Sequence, residues 1–208
     1  MIEGVVWDMG GIFQRYFTEV LVDEGRSRGW PLDRMALGPT GLVADDDYQA
    51  MSEGALDEPR YLEIVMERLA SEGIQFDPIN EPDWIAERRP EVWDAIKKLA
   101  TAGVKQAVLT HDASRWLGPG WWSDWADGAH FEALIDVATL SHRKPHSEPY
   151  LAAASALSLP TSSCIFVDDM PVNCRGAEAV GMKALWFDIM APEECVHELV
   201  NRVLERHG

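Results

Sequence analysis

Asp8 directly follows the apolar run Val5-Val6-Trp7, Thr110 ends a run that begins at residue 104, and the pair Asp168-Asp169 follows another over residues 164–167. Lys144 lies between a further apolar run and the helical pattern after it. Carboxylates brought to one place raise each other's pKa unless a cation lies among them, and a hard oxygen site of this kind suits Mg²⁺. Lys144 adds positive charge, Thr110 a hydroxyl donor, and the Gly10-Gly11 turn backbone N–H groups, a set built for a dianion such as phosphate. A carboxylate beside a bound phosphoryl group can attack it, giving an aspartyl-phosphate that water then hydrolyses. Any one of these Asp residues alone is more often a turn residue or helix cap. The coincidence of four positions at strand ends points to phosphoryl transfer.

The elements that must position them follow from punctuation. Short runs of branched apolar residues near Ile2–Trp7 and over 104–110, 134–140, 164–167 and 182–187 predict buried strands. Helical patterns lie between them over 90–102, 145–157, 171–180 and 192–206. Each of the four opens on a proline, and Gly103 and Gly181 stop two of them. Strands alternating with helices of this length predict βαβ units, hence an α/β fold with a doubly wound parallel sheet. In such sheets ligands bind outside the carboxyl ends of the strands, where strand order reverses.

Residues 14–89 break the alternation, with helical stretches such as 57–73, where Tyr61, Ile64, Val65 and Leu69 share a stripe, and no strand. The expected division is a core of residues 1–13 and 90–208 with a small helical cap, 14–89, inserted after strand one. The insert carries a net charge of −9 and the rest −8. A total of −17 with no basic patch excludes nucleic acid and anionic membrane surfaces as partners. No apolar run reaches the roughly 18 residues of a membrane span. Cys164, Cys174 and Cys195 have no C-x-x-C spacing and read as buried free thiols, which fits a cytoplasmic protein.

The same residues resemble the motifs of the haloacid dehalogenase-like (HAD) hydrolases. Val5-Val6-Trp7-Asp8-Met9-Gly10-Gly11-Ile12 looks like the first, Val108-Leu109-Thr110 the second, and Arg143-Lys144-Pro145 with Tyr150 the third. Ile165 through Asn173, with Gly176-Ala177 and Gly181, looks like the fourth, and Met51-Ser52-Glu53-Gly54-Ala55-Leu56-Asp57 resembles part of a C1-type cap. The resemblance implies a Rossmann-like core in which Asp8 is the nucleophile and Thr110 and Lys144 hold the phosphoryl oxygens. It also implies Mg²⁺ on Asp8, the carbonyl of Gly10, Asp168 and Asp169. Gly10, Gly11, Thr110, His111 and Lys144 would line the substrate site. The expected partner is a small phosphorylated molecule, with a sugar phosphate as the first guess, and the expected state is a monomer or homodimer.

Two positions depart from the family pattern. Its phosphatases usually carry a general acid two residues after the nucleophile, where this chain has Gly10. A sugar-phosphate phosphatase branch shares the Asp-x-Gly pattern, and the missing acid favours leaving groups that are already weak bases, such as an anomeric oxygen. His111 stands where relatives commonly have Asn, and with Asp112 is a candidate to position substrate or supply that proton. Trp116, Trp121, Trp122 and Trp125 form a cluster that reads as loop packing or a sugar-stacking surface. Asp45-Asp46-Asp47 lacks the spacing of a calcium loop and reads as a solvated turn or helix start. Arg15, Tyr16 and Trp30 read as packing or as substrate contacts. The rival readings are a metal-independent 2-haloacid dehalogenase on the same fold and a binding protein that has lost turnover.

Overall fold

A computed structural model describes residues 1–111 and 130–204. Five parallel strands, β1 (Gly4–Trp7), β2 (Lys105–Thr110), β3 (Ala133–Asp136), β4 (Cys164–Asp168) and β5 (Lys183–Trp186), form one sheet in the order β3-β2-β1-β4-β5. β1 is central, with Trp7 opposite Val108 on one side and Val167 on the other. Every residue of β1 and β4 is buried, which is why their sequences are continuous apolar runs without alternation, whereas edge strands β3 and β5 are partly exposed.

The described helices, in chain order, are α1 (Phe17–Arg28), α2 (Asp46–Glu53), α3 (Glu58–Ser71), α4 (Pro90–Thr101), α5 (Ser147–Ala156), α6 (Pro171–Ala179) and α7 (Pro192–Leu204). α5 and α6 cover one sheet face, where Val6, Leu109, Phe166, Tyr150, Ala153 and Ala177 share a core. Residues of the opposite parity face α4: Trp7 packs on Phe13, Phe13 on Trp93, and Trp7 Nε1 donates to Gln106 Oε1 at 3.0 Å. Helices on both faces satisfy the layer rule for a parallel sheet. Cys164, Cys174 and Cys195 are free and buried.

Two expected boundaries are corrected. The run over 134–140 is a strand only to Asp136; residues 137–139 turn as a 3₁₀ helix, because the Thr139 hydroxyl donates to the Asp136 carbonyl at 2.8 Å and tightens the chain. α5 starts at Ser147 rather than Pro145, since His146 is its N-cap, with Nδ1 accepting from Glu148 N–H. Pro90, Pro171 and Pro192 do open their helices.

The chain divides into two compact units, Met1–Gln14 with Arg88–Gly208, and Arg15–Glu87. The second is helical, built on α1, α2 and α3. Tyr61, Leu62, Val65 and Leu69 are the buried stripe of α3, so Leu62 replaces the expected Ile64. Rings of Tyr16, Phe17, Tyr48 and Tyr61 pack together, and Trp30 meets Phe76 edge-on. Asp45 is a helix start, as read, but it is not solvated. Its side chain caps α2 and is 1 % exposed, accepting from Gly38 N, Tyr48 N, the Tyr61 hydroxyl and Arg68. Arg15 is held by Asp23 and Glu87 within the same unit.

Candidate active site

The chain lays β2 and β3 to one side of β1 and β4 and β5 to the other, so strand order reverses between β1 and β4. Asp8 N donates to Val167 O at 2.8 Å, extending the ladder one residue past β1 and setting Asp8 beside Asp168, the last residue of β4. Lys144 arrives on the segment ahead of α5. Its side chain is 1 % exposed, with Nζ donating to Asp8 Oδ1 at 2.6 Å and Asp168 Oδ2 at 2.8 Å and lying 5.3 Å from the Phe166 ring centroid. The fold thus joins residues separated by 136 and 24 positions.

The electrostatics of this cluster are strained by burial. Burial pushes the Asp8 carboxyl up to about 7; the Lys144 charge opposes that and the neighbouring Asp168 adds to it. Burial alone would lower the Lys144 ammonium, but the Asp168 and Asp8 charges outweigh it and hold its pKa above the usual value. Asp168 is held by four hydrogen bonds. Besides that from Lys144, Oδ1 accepts from Met170 N at 2.8 Å, and Asn173 Nδ2 reaches both oxygens at 3.1 Å. Asp169 is buried beside it, and its carbonyl accepts from Trp186 Nε1 at 2.8 Å. One oxygen each from Asp8, Asp168 and Asp169 falls within 4.8 Å of the others. Among the described residues three buried carboxylates gather here with the Lys144 ammonium bonded to two of them, and an all-oxygen anionic donor set fits a hard divalent cation.

Glycines shape the rim. Gly11 has φ +71°, and a Cβ there would lie 2.7 Å from Asp169 Oδ2, so a side chain at this position would both strain the backbone and strike the carboxylate. A Cβ on Gly10 meets nothing within 4 Å among the described residues. Gly176 lets α6 approach the Lys144 segment, since a Cβ would fall 2.5 Å from Pro145 O and 2.7 Å from the Tyr150 hydroxyl.

Thr110 is buried at the carboxyl end of β2, in register with Asp136 on β3. His111 follows it. Burial, then the Lys144 and Arg143 charges, hold its imidazole well below the ordinary range, so it is neutral at pH 7, and its buried Nε2 has no hydrogen-bond partner among the described residues. Asp112 and the four tryptophans of 116–125 lie outside the described residues. Sequence reasoning gave no role to Asn173, to Gly176 or to Arg89, whose Nε donates to Gly11 O at 2.9 Å. The signal for Asn173 was its place five residues after Asp168, one turn into α6, where a short amide can reach back to a carboxylate.

Known proteins share this arrangement of elements. Phosphatase MT3486 of Mycobacterium tuberculosis is 29% identical over 203 residues, covering 90% of this chain and 88% of that protein. The L-2-haloacid dehalogenase RSc1362 superposes with a TM-score of 0.63 at 16% identity, covering 97% of this chain and 98% of that one. The β-phosphoglucomutase of Clostridium difficile does so with 0.56 at 12% identity, covering 99% and 100%. These two carry different chemistries, so the likeness establishes the fold and leaves the reaction to the site. Among the described residues no helix is long and apolar enough to cross a membrane. Residues 13–181 match the haloacid dehalogenase-like hydrolase family, and the chain belongs to it.

Proposed function

We propose that the chain is a Mg²⁺-dependent phosphatase that hydrolyses a small phosphorylated metabolite through an aspartyl-phosphate on Asp8, with sugar phosphates the first class to test. The observation that carries this reading is the Lys144 ammonium, buried and bonded to both Asp8 and Asp168 inside a cluster of three carboxylates. The name of the Mycobacterium relative supports a phosphatase.

Asp8, Asp168, Asp169 and the carbonyl of Gly10 would hold the metal. When bound, Mg²⁺ supplies positive charge for the phosphoryl oxygens and keeps the clustered carboxylates ionised. Lys144 serves the same end from the protein side, holding Asp8 as the carboxylate that attack requires. An Asp8 oxygen forms a bond to phosphorus while the bond from phosphorus to the leaving oxygen breaks, and that oxygen takes up a proton. Water then attacks the phosphorus, releasing inorganic phosphate and restoring Asp8. Thr110 and Lys144 bind the transferred oxygens, and the Gly10-Gly11 turn offers backbone N–H groups. His111 contacts substrate through Nε2; a neutral ring there acts as a hydrogen-bonding group rather than as a fixed charge. The helical unit, residues 14–89 in the sequence reading, acts as a C1-type cap that selects the substrate.

The test is a panel of phosphorylated metabolites assayed with Mg²⁺ and with EDTA, using wild type and Asp8→Asn. Turnover that requires Mg²⁺ and is lost in Asp8→Asn supports the reading. Turnover of 2-haloacids that survives EDTA would replace it with the dehalogenase alternative.

A further inference from the structure

The segment that carries Lys144 bears a second cluster on its solvent side. His142 and His146 flank the lysine by two residues each, and their imidazoles stack with centroids 3.8 Å apart and planes 10° from parallel. His142 Nδ1 lies 2.7 Å from Glu148 Oε2, and His146 Nδ1 accepts from the Glu148 backbone N–H at 3.4 Å. One ligand atom from each of the three falls within 4.8 Å of the other two. Both rings are exposed and the Glu148 side chain is partly so, which leaves an open path for an ion.

We propose that His142, His146 and Glu148 form a second metal site, for a borderline ion of the Zn²⁺ class, separate from the carboxylate cluster. Two imidazoles and one carboxylate are a common zinc donor set, with a water completing the fourth position. The donors differ in kind from the three oxygens around Asp8, so the two sites sort ions: hard Mg²⁺ to the carboxylates, Zn²⁺ to the histidine pair. One ring swings out of the stack to bind, because near-parallel rings with centroids 3.8 Å apart do not let both imidazoles aim an in-plane lone pair at a single ion, and both side chains are exposed and so can turn. The proton shared between His142 Nδ1 and Glu148 Oε2 is what the incoming ion displaces, and the weak cap bond of His146 is given up or its Nε2 used instead. An ion joining His142 to His146 closes the chain around Lys144, tying both ends of the segment that delivers the lysine.

The experiment is a Zn²⁺ titration of the EDTA-stripped full chain in excess Mg²⁺, read by calorimetry or equilibrium dialysis, so that it is independent of hydrolysis. Wild type is compared with His142→Ala, which caps nothing, and with His146→Asn, which keeps a capping acceptor. Melting of each variant in EDTA at the wild-type temperature establishes that it folds. The expected result is that each variant binds one fewer equivalent of Zn²⁺, or binds that equivalent at least tenfold more weakly. Equal stoichiometry and affinity in wild type and both variants overturns the proposal, as does a wild type that takes up no Zn²⁺ beside Mg²⁺.

Discussion

The Lys144 ammonium donates to the Asp8 carboxylate at 2.6 Å from 136 residues along the chain, and the same nitrogen serves Asp168. It pairs with two of the clustered carboxylates, so removing it leaves those buried like charges facing each other. Lys144→Met should therefore destabilise the chain by about 3–5 kcal/mol, the usual cost of an uncompensated buried charge. Urea unfolding at pH 8 in EDTA measures it. Added Mg²⁺ should return more stability to the variant than to wild type; equal gains in the two would count against a cation site at these carboxylates.

Asp8→Asn should lower turnover by at least about 10³-fold, since it removes the nucleophile while Asp168 and Asp169 are committed to the metal. Its stability should change in the opposite sense. A carboxyl whose folded pKa is raised to about 7 costs folding energy once it is ionised. That cost grows from about pH 4, the unfolded value, and levels off above pH 7. Without metal, the variant should match wild type at pH 4 and exceed it by a few kcal/mol, on the order of 1–3, at pH 8. Denaturant midpoints across that range decide it, and a variant less stable than wild type at pH 8 contradicts the raised pKa.

Among the described residues a Cβ at Gly10 has open space around it, so a side chain can begin there without a clash. Gly10→Asp should fold, and should raise turnover of alkyl phosphates by up to about 10²–10⁴-fold by protonating their poor leaving groups. Phosphates with weakly basic leaving groups should gain far less. Steady-state rates on matched pairs of substrates test the idea, and equal change on both kinds would remove the leaving-group explanation for the missing acid.

Much of the core was legible in the sequence because burial on both faces writes strands as apolar runs, and each run near the site stops at a polar residue. Asp8, Thr110 and Asp168 could be set at strand ends on that signal alone. Lys144 was harder, since it arrives on a loop: its place between a strand and a helix and its charge marked it as a candidate, and the resemblance to a motif added to that. What failed to show were side-chain partnerships made away from the strand ends. Asp45 looked like one of three solvated acids, because its partners Tyr61 and Arg68 stand 16 and 23 residues away and carry no local mark. In the sequence Gly176 reads only as part of a motif, and its packing role shows in Pro145 O, which lies in the space a Cβ would need. Strand three was drawn too long because Val137 and Leu140 are apolar, while the Thr139 hydroxyl that bends the chain is a side-chain event.

Asp45 supplies the pH test of the helical unit. Burial would raise its pKa, but hydrogen bonds from Gly38, Tyr61 and Tyr48 and the Arg68 charge hold it below the usual carboxylate range. A depressed pKa contributes stability that is present above about pH 4 and is lost as pH falls through the lower folded value. Asp45→Asn keeps a capping side chain but loses the charge, and should cost about 1–3 kcal/mol at pH 7. The gap between wild type and variant should close as the pH drops below 4, as followed by acid unfolding. A gap independent of pH would mean that packing rather than charge is what the substitution removes.

The order of the strands also bears on how the molecule is made. β1 precedes the other four strands in the chain yet stands in the middle of the sheet, and its two neighbours begin at Lys105 and Cys164. Residues 15–87, by contrast, form one uninterrupted compact unit, made before either of those strands. Synthesis from the amino end lets this unit fold early while Asp8 waits, tethered and without partners, for more than a hundred residues of translation. The nucleophile's strand is thus made before both of its neighbours and enclosed only after them, and the nascent chain gains its reactive centre only once β4 has emerged.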